Sequence, residues 1–560
     1  MPSPQARRSR LAWSLAYAVA GVALFFAYLA QSSRATYVNS DGASNALQAW
    51  AMLHGNVLLH GWALSDVSFY TTELPEYMLA ELVRGLRPEV VHICAALTYT
   101  LLVLLAAALA RGRATGRHGV TRALLATGIM LAPQLGDPSG GLLLSLNRSG
   151  TGVLLLSPDH VGTGVPLLLT WLLIDRGPGW QGTGWQGTGW QGKARWLVPV
   201  LAGAVLAWAA VADQLAGVIG ALPLALVCGF RVWQGLAARG RPPGYELSLL
   251  AAAILSVPVA FLATRAITAA GGWTVTPVRP GLIGPGTLRL HAYTTVMGIL
   301  ELFGADFLGQ PTAWRTAFAL VHLCGVALAV VAFCVAVRRF RTAEPLVQLL
   351  TVAIVVNLAT YVLSAEAQHI DNTREIASVL PFGAVLAGRL LPGGRGAGWL
   401  GAGGLAPARW AAATAGLLVA CYAAMLGFDV SQPPVSGPPA ALAAWLSAHD
   451  LTRGLGGYWQ ANSVTLDTGG AVQVRAIDLV HGQLIPGAYW EADQAWYDPA
   501  ANYANYADFV VDQPDYPGNP RYPGPLIRRM IAEAGKPDRL YFSGEFAIAV
   551  WKTNLLTRLR

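Results

Sequence analysis

Charge is what this chain has least of. Asp, Glu, Lys and Arg make up 12% of its 560 residues, against 54% hydrophobic residues, whereas roughly a quarter of a soluble domain is charged. Lysine is nearly missing: Lys193, Lys536 and Lys552 are the whole complement, so arginine carries the positive charge, and with abundant Ala, Gly and Pro this is the composition of a GC-rich genome. The five cysteines (Cys94, Cys228, Cys324, Cys334, Cys421) sit in apolar runs with no CxxC pair and no His at metal spacing. That excludes a thiol redox motif or a zinc ribbon and leaves them as packing residues. What remains is a mean hydropathy of +0.46 and repeated apolar runs, the mark of a polytopic membrane protein.

The net charge of +8 does not point to nucleic acid, because the basic residues fall in short clusters between apolar spans, where the positive-inside rule accounts for them. Arg7, Arg8 and Arg10 precede an apolar run from Leu11 to Ala30. Its length matches the roughly 20 residues a bilayer needs and exceeds a signal-peptide core, so an uncleaved first helix with a cytoplasmic N-terminus is expected. Every second loop should then be basic, and RGRATGRHGVTR, the segment from Arg176 to Arg195, RVWQGLAARGR, RRFR, and Arg389 with Arg395 and Arg409 fit that alternation. About eleven spans are expected, the last near Trp410 to Phe428, with Leu124 to Gln134 and Trp196 to Ala212 short enough to be re-entrant or tilted. Acids do the reverse of the arginines. Asp41, Asp66, Glu73, Asp137, Asp159, Asp213, Glu301, Asp306, Glu366, Asp371 and Glu375 all fall at the outer side, and only Asp175, Glu246 and Glu344 inside. Acids contribute little to insertion, so this asymmetry points to an outward functional surface. The WQGTG repeat at Trp180 reads as a low-complexity expansion in an inner loop.

The first outer loop, Gln31 to Glu89, is far longer than a passive connection. It carries Trp50, Trp62, Phe69, Tyr70 and Tyr77, apolar residues at helical spacing through Ala43–Leu53 and Tyr77–Leu86, and the carboxylates Asp41, Asp66, Glu73 and Glu76. After Phe428, DVSQPPVSGPP is a linker that cannot continue a helix. The division expected is therefore a membrane domain over 1–430 and an α/β domain over 431–560. Helices are expected at Ala440–His449 and Pro525–Ala534, and strands at Val472–Ile477, Asp508–Asp512, Leu540–Phe542 and Phe546–Trp551, with Tyr489–Tyr506 an aromatic loop. This domain lacks GxGxxG, GxSxG and a metal cluster, so no active site of its own is expected.

The architecture, with NSDGASNALQAW after the first helix, SDVSFYTTELPEY later in the same loop and DNTREIASVLPFGAVLAGR entering a late helix, resembles the GT-C superfamily of integral-membrane glycosyltransferases. The resemblance implies an all-α polytopic bundle with an extracytoplasmic α/β domain. It implies a sugar donor carried on polyprenyl phosphate, a glycan, lipid or protein acceptor at the outer face of the cell membrane, and a catalytic acid early in the first outer loop. By position that acid is Asp41. The chemistry agrees: glycosyl transfer to a hydroxyl needs a base, and the departing lipid phosphate needs a cation or backbone donors. Asp66 and Glu73 are further catalytic candidates, Arg374 the first phosphate partner ahead of Arg87 and Arg265, and His160, Glu375 and Tyr70 further substrate contacts. A divalent cation, Mg or Mn, on Asp41 and another acid would suit hard-ligand chemistry, though no spacing demands one.

Each residue also has a structural role open to it. Asp41 precedes a helical run and can stabilise its N-terminus; Asp66 in LSDVSF has turn chemistry; Arg374 and Glu375 can bridge within a loop; His160 can sit buried at a helix start; and Asp213 with Gln214 fits a tight turn. Two other classes remain beside the enzyme. A transporter of lipid-linked saccharide would show internal repeats and charges at mid-membrane, whereas the ionisable residues here gather at the outer boundary. A polymer-binding envelope protein would make no single outer carboxylate essential.

Overall fold

The computed structural model describes residues 4–35, 37–133, 150–155, 160–177, 194–239, 243–276, 281–308, 314–392, 406–499, 506–515 and 523–559. The WQGTG repeat and the acids Asp137 and Asp159 lie outside them. Two compact units result: Met1–Thr36, Ala95–Leu262 and Arg279–Pro433 form one, and Tyr37–Cys94, Ala263–Val278 and Pro434–Arg560 the other.

The first unit is helical. Along the chain, seven described helices are long and apolar enough to cross a membrane: Leu11–Ala35, Glu89–Arg111, Gly217–Ala238, Gly244–Ala269, Thr316–Arg338, Pro345–Leu363 and Arg409–Ser431. Trp196–Ala212 and Val379–Leu390 are apolar but shorter. The expected count of about eleven includes stretches that form helices of only 15 and 13 residues, Gly116–Met130 and Gly164–Arg176. At 1.5 Å per residue such helices fall short of a hydrocarbon core about 30 Å thick. On the first helix Leu11, Leu15, Val19, Val22 and Phe26 recur at intervals of three or four and are each 60% exposed or more. That stripe would be an aggregation surface in water and is the natural face towards lipid.

Inside the unit the large side chains interlock. Trp171 meets Phe382 edge to face at 6.0 Å, Tyr28 meets Tyr99 at 4.9 Å, and the Tyr99 hydroxyl donates to the Met130 carbonyl at 2.7 Å. Arg389 gathers three segments, donating to Asp175 at 2.5 Å, to the Leu109 carbonyl at 2.7 Å and to Glu344 at 3.3 Å. Arg389, expected on the inner side from the sequence alternation, therefore also ties helices together.

The second unit is α/β. Six strands run in the order β5-β4-β3-β7-β9-β8, with β3 (Arg453–Gly456), β4 (Gln473–Val480), β5 (Gln483–Pro486), β7 (Phe509–Asp512), β8 (Arg539–Ser543) and β9 (Phe546–Val550). Central β3 is parallel to both neighbours, and the outer pairings are antiparallel. Helix Pro525–Ala534 lies where its pattern places it, because Leu526, Ile527 and Met530 form one buried stripe. Pro438–Ala448 and Tyr458–Asp467 are the other helices of this part. The residues expected as the first outer loop are built into the same unit: helices Ser40–Leu53 and Glu73–Arg84 pack on each other, and Ser40–Leu53 packs on Tyr458–Asp467. A smaller sheet joins three distant pieces, β2 (Thr274–Val275), β1 (Trp62–Leu64) and β6 (Ala492–Asp493). β6 falls within the stretch expected to be a loop.

Strand β3 reads RGLG, and its glycines are there for space. A Cβ on Gly454 would land inside the Phe509 ring on β7. Gly454→Ala is expected to destabilise this unit by about 1–3 kcal/mol through overpacking, read as a lowered midpoint in thermal melts of the purified protein with β-sheet circular dichroism otherwise native.

Candidate functional site

Asp41 sits in the first turn of helix Ser40–Leu53, but it is not the cap. Asn39 has extended backbone and its side-chain oxygen accepts from the Gly42 amide at 2.9 Å, so Asn39 performs the N-capping. The carboxylate of Asp41 is turned to another partner: the Tyr458 hydroxyl lies 2.5 Å from its Oδ1. The same hydroxyl lies against Glu491 Oε2. Ser40 Oγ donates to the Tyr458 carbonyl at 2.5 Å, fixing the two helix starts to each other.

Glu491 is only 3% exposed, and it is held in the left-handed region with φ at 47°. Non-glycine residues adopt that conformation seldom, and usually where surrounding structure enforces it. Here Ser44 Oγ and Asn462 Nδ2 both donate to its carbonyl, at 3.4 and 3.3 Å. Burial and then the Asp41 charge push the Glu491 carboxyl well above the ordinary carboxylate range, outweighing its contacts with Tyr458, Ser65 and Ser44. Burial and the same two acids raise the Tyr458 phenol as well.

The other loop candidates lie further along the same segment. Glu73 is 3% exposed and accepts from the Thr72 hydroxyl at the start of helix Glu73–Arg84. Asp66 lies half-buried in a bend after β1. Tyr70 donates its hydroxyl to the Val57 carbonyl at 3.0 Å and leans on Trp273 at 5.6 Å. Glu81, one turn further along the same helix as Tyr77, is an acid the sequence reading passed over. It is 2% exposed and burial pushes it up to about 9, so it stays neutral at physiological pH.

In the helical unit His160, Asp213 and Glu375 come together. His160 Nδ1 is 2.9 Å from Asp213 Oδ2 and Nε2 is 2.8 Å from Glu375 Oε1. Thr163 donates its hydroxyl to Asp213, whose other oxygen accepts from the Leu215 amide at 2.8 Å. The turn chemistry expected of Asp213 is present, and an ion pair across the chain is added to it. Burial alone would depress the imidazole, but Glu375 and Asp213 outweigh it and hold His160 well above its usual value. With a carboxylate on each ring nitrogen, both nitrogens donate. Arg374 is half-buried beside Glu375 in the segment Ile370–Ile376.

Among the described residues no three His, Cys, Asp or Glu side chains are grouped so as to hold a metal ion. Around Asp41 the Tyr458 hydroxyl occupies the place between the two carboxyl groups.

The chain thus combines a helical unit, several of whose helices are long and apolar enough to cross a membrane, with an α/β unit that holds an acid–phenol–acid cluster. No known family model matches the chain, and neither does any curated protein sequence. Solved structures do. ArnT from Cupriavidus metallidurans in the apo state matches with a TM-score of 0.52 at 13% identity, over 96% of this chain and 98% of that one. The same protein bound to undecaprenyl phosphate matches with 0.52 at 11% identity over the same shares. The Archaeoglobus fulgidus oligosaccharyltransferase, in complex with Zn and sulfate, gives 0.46 at 12% identity over 94% of this chain and 73% of that one. The ArnT match spans nearly the full length of both chains, so the GT-C-like fold expected from the sequence is the fold this chain has.

Proposed function

We propose that this chain is a multi-pass membrane glycosyltransferase that moves a sugar from a polyprenyl-phosphate carrier to a hydroxyl-bearing acceptor at the extracytoplasmic face, with Asp41 as the base. The observation that carries the reading is the placement of Asp41: just after the first membrane span, relieved of capping by Asn39, and held by a half-buried phenol in a chain with the ArnT fold. The match to ArnT bound to undecaprenyl phosphate supports a lipid-phosphate donor. In the step itself the acceptor O–H bond breaks and its proton passes to Asp41. The acceptor oxygen bonds to the anomeric carbon, and the carbon–oxygen bond to phosphate breaks with its electron pair leaving on the phosphate. Asp41 then releases the proton to water. The test is sugar release from a radiolabelled polyprenyl-phosphate-sugar by the purified protein in lipid, wild type against Asp41→Asn.

Arg374, at the outer start of its helix by the basic-loop alternation, is the proposed phosphate partner, with Arg87 and Arg265 behind it. A hydrogen bond to a charged group contributes about 1.5–3 kcal/mol. Arg374→Ala is therefore expected to raise KM for the lipid-linked donor about ten- to a hundredfold, with Arg374→Lys recovering part of the loss; an unchanged donor KM removes Arg374 from this role.

A further inference from the structure

Tyr458 presents one hydroxyl to two carboxyl groups, Asp41 Oδ1 and Glu491 Oε2. A phenol has one proton and donates once. The second contact needs a proton of its own, since two lone pairs facing one another at hydrogen-bond distance repel. The cluster therefore holds two protons over three groups and carries one negative charge. Burial decides where that charge sits. Glu491 is almost wholly enclosed, whereas Asp41 is partly exposed and lies in the first turn of a helix, where the backbone amides favour an anion.

We propose that Tyr458 and Glu491 are positioning residues for Asp41: Glu491, kept as a carboxylic acid, donates to Tyr458 Oη, and Tyr458 in turn donates to Asp41 Oδ1, holding the base ionised and aimed. This rests on the reading of Asp41 as the base. The left-handed backbone of Glu491, clamped through its carbonyl by Ser44 and Asn462, fits the assignment, because it is what delivers the acid to the phenol. A second carboxylate beside Asp41 would raise the pKa of both and leave the base protonated when needed; a neutral acid routed through a phenol stabilises the anion.

The charges acting on Tyr458 are Glu491 and Asp41, and on Glu491 it is Asp41. From the neighbouring helix Glu73–Arg84, Glu73, Glu76 and Glu81 act on Cys94. Asp467, at the far end of the Tyr458 helix, is influenced by Glu89, and Asp493 by Arg475.

The experiment is the pH profile of kcat/KM for sugar release by the full chain in lipid nanodiscs, for wild type, Tyr458→Phe, Glu491→Ala, Glu491→Gln and Asp41→Asn, each checked by thermal melt. Tyr458→Phe removes the phenol's hydrogen bond to Asp41 Oδ1, so the acid limb should move up by about one pH unit or more. Glu491→Ala should lose tenfold or more in kcat, and Glu491→Gln should recover most of it, because the amide donates to Tyr458 as the acid does. A Glu491→Gln protein as inactive as Asp41→Asn would mean that Glu491 works as a carboxylate, and would overturn the proposal. So would an unshifted acid limb in Tyr458→Phe. Wild-type turnover in Asp41→Asn is a different failure, that of the base assignment itself.

Discussion

Asp41→Asn is expected to lower kcat for sugar transfer by about 10²–10⁴, the usual contribution of a positioned general base, with KM for the lipid donor little changed. Asparagine keeps the size of the side chain, and its Oδ1 still accepts from Tyr458, so the helix start at Asn39–Ser40 and the contact to the Tyr458 helix are retained. What is lost is the ability to take a proton. An interaction made only in the transition state reads as a loss in kcat and kcat/KM together. Turnover and lipid binding measured on the same preparations separate the possible classes. Lost turnover with lipid still bound makes the chain a transferase with Asp41 at its centre. Labelled lipid crossing the bilayer without sugar release from either protein makes it a transporter. Neither activity brings the polymer-binding reading forward.

His160→Ala is expected to destabilise the helical unit by about 3–5 kcal/mol, the cost of removing one member of a buried ion pair. The deletion would leave Asp213, with its side chain 4% exposed, and Glu375, at 22%, facing one another without the cation between them. The pH dependence has a definite sign. His160 has a raised folded pKa, so its contribution is fully present below the unfolded value of about 6.5 and is lost as pH rises through the raised value. Asp213, with a lowered pKa through His160, Thr163 and the Leu215 amide against the opposing burial, contributes above about 3.8 and loses that as pH falls through its folded value. The tie is thus at full strength between these limits and persists into the neutral range. The two shifts describe one interaction and do not add. Thermal melts in nanodiscs should show the gap between wild type and His160→Ala closing on the alkaline side; a gap independent of pH would mean that the imidazole is not charged.

The membrane helices were legible because a bilayer imposes a length and a composition that a single window of sequence displays, as in Leu11–Ala35 or Thr316–Arg338. The last helix and hairpin of the α/β unit were legible for the same local reason, since Leu526, Ile527 and Met530 or the alternating run Phe546–Val550 carry their period with them. Strand β3 was not: RGLG has one large apolar residue in four, and only the Phe509 ring against Gly454 explains why glycine belongs at the centre of a sheet. Helix Tyr458–Asp467, reading YWQANSVTLD, escaped because its buried face includes Asn462, Ser463 and Thr465 as well as Val464 and Leu466.

The candidate site divides along the same line. Asp41 could be singled out through the family resemblance, by its place after the first apolar span, and His160 and Glu375 from their place at helix ends expected on the outer side. Their partners could not, because Tyr458 is 417 positions from Asp41, Asp213 is 53 from His160, and no local period links them. By itself the sequence determined where the chain is apolar enough for lipid, which loops are basic, and which acid follows the first span, all of them properties of short windows. Only the tertiary structure decided that Glu491, in a stretch that reads as a loop, is buried with its backbone turned to φ 47° and its carboxyl on Tyr458. The physical reason is that the protonation and aim of a carboxyl are set by the groups enclosing it, and packing brings those groups from remote parts of the chain.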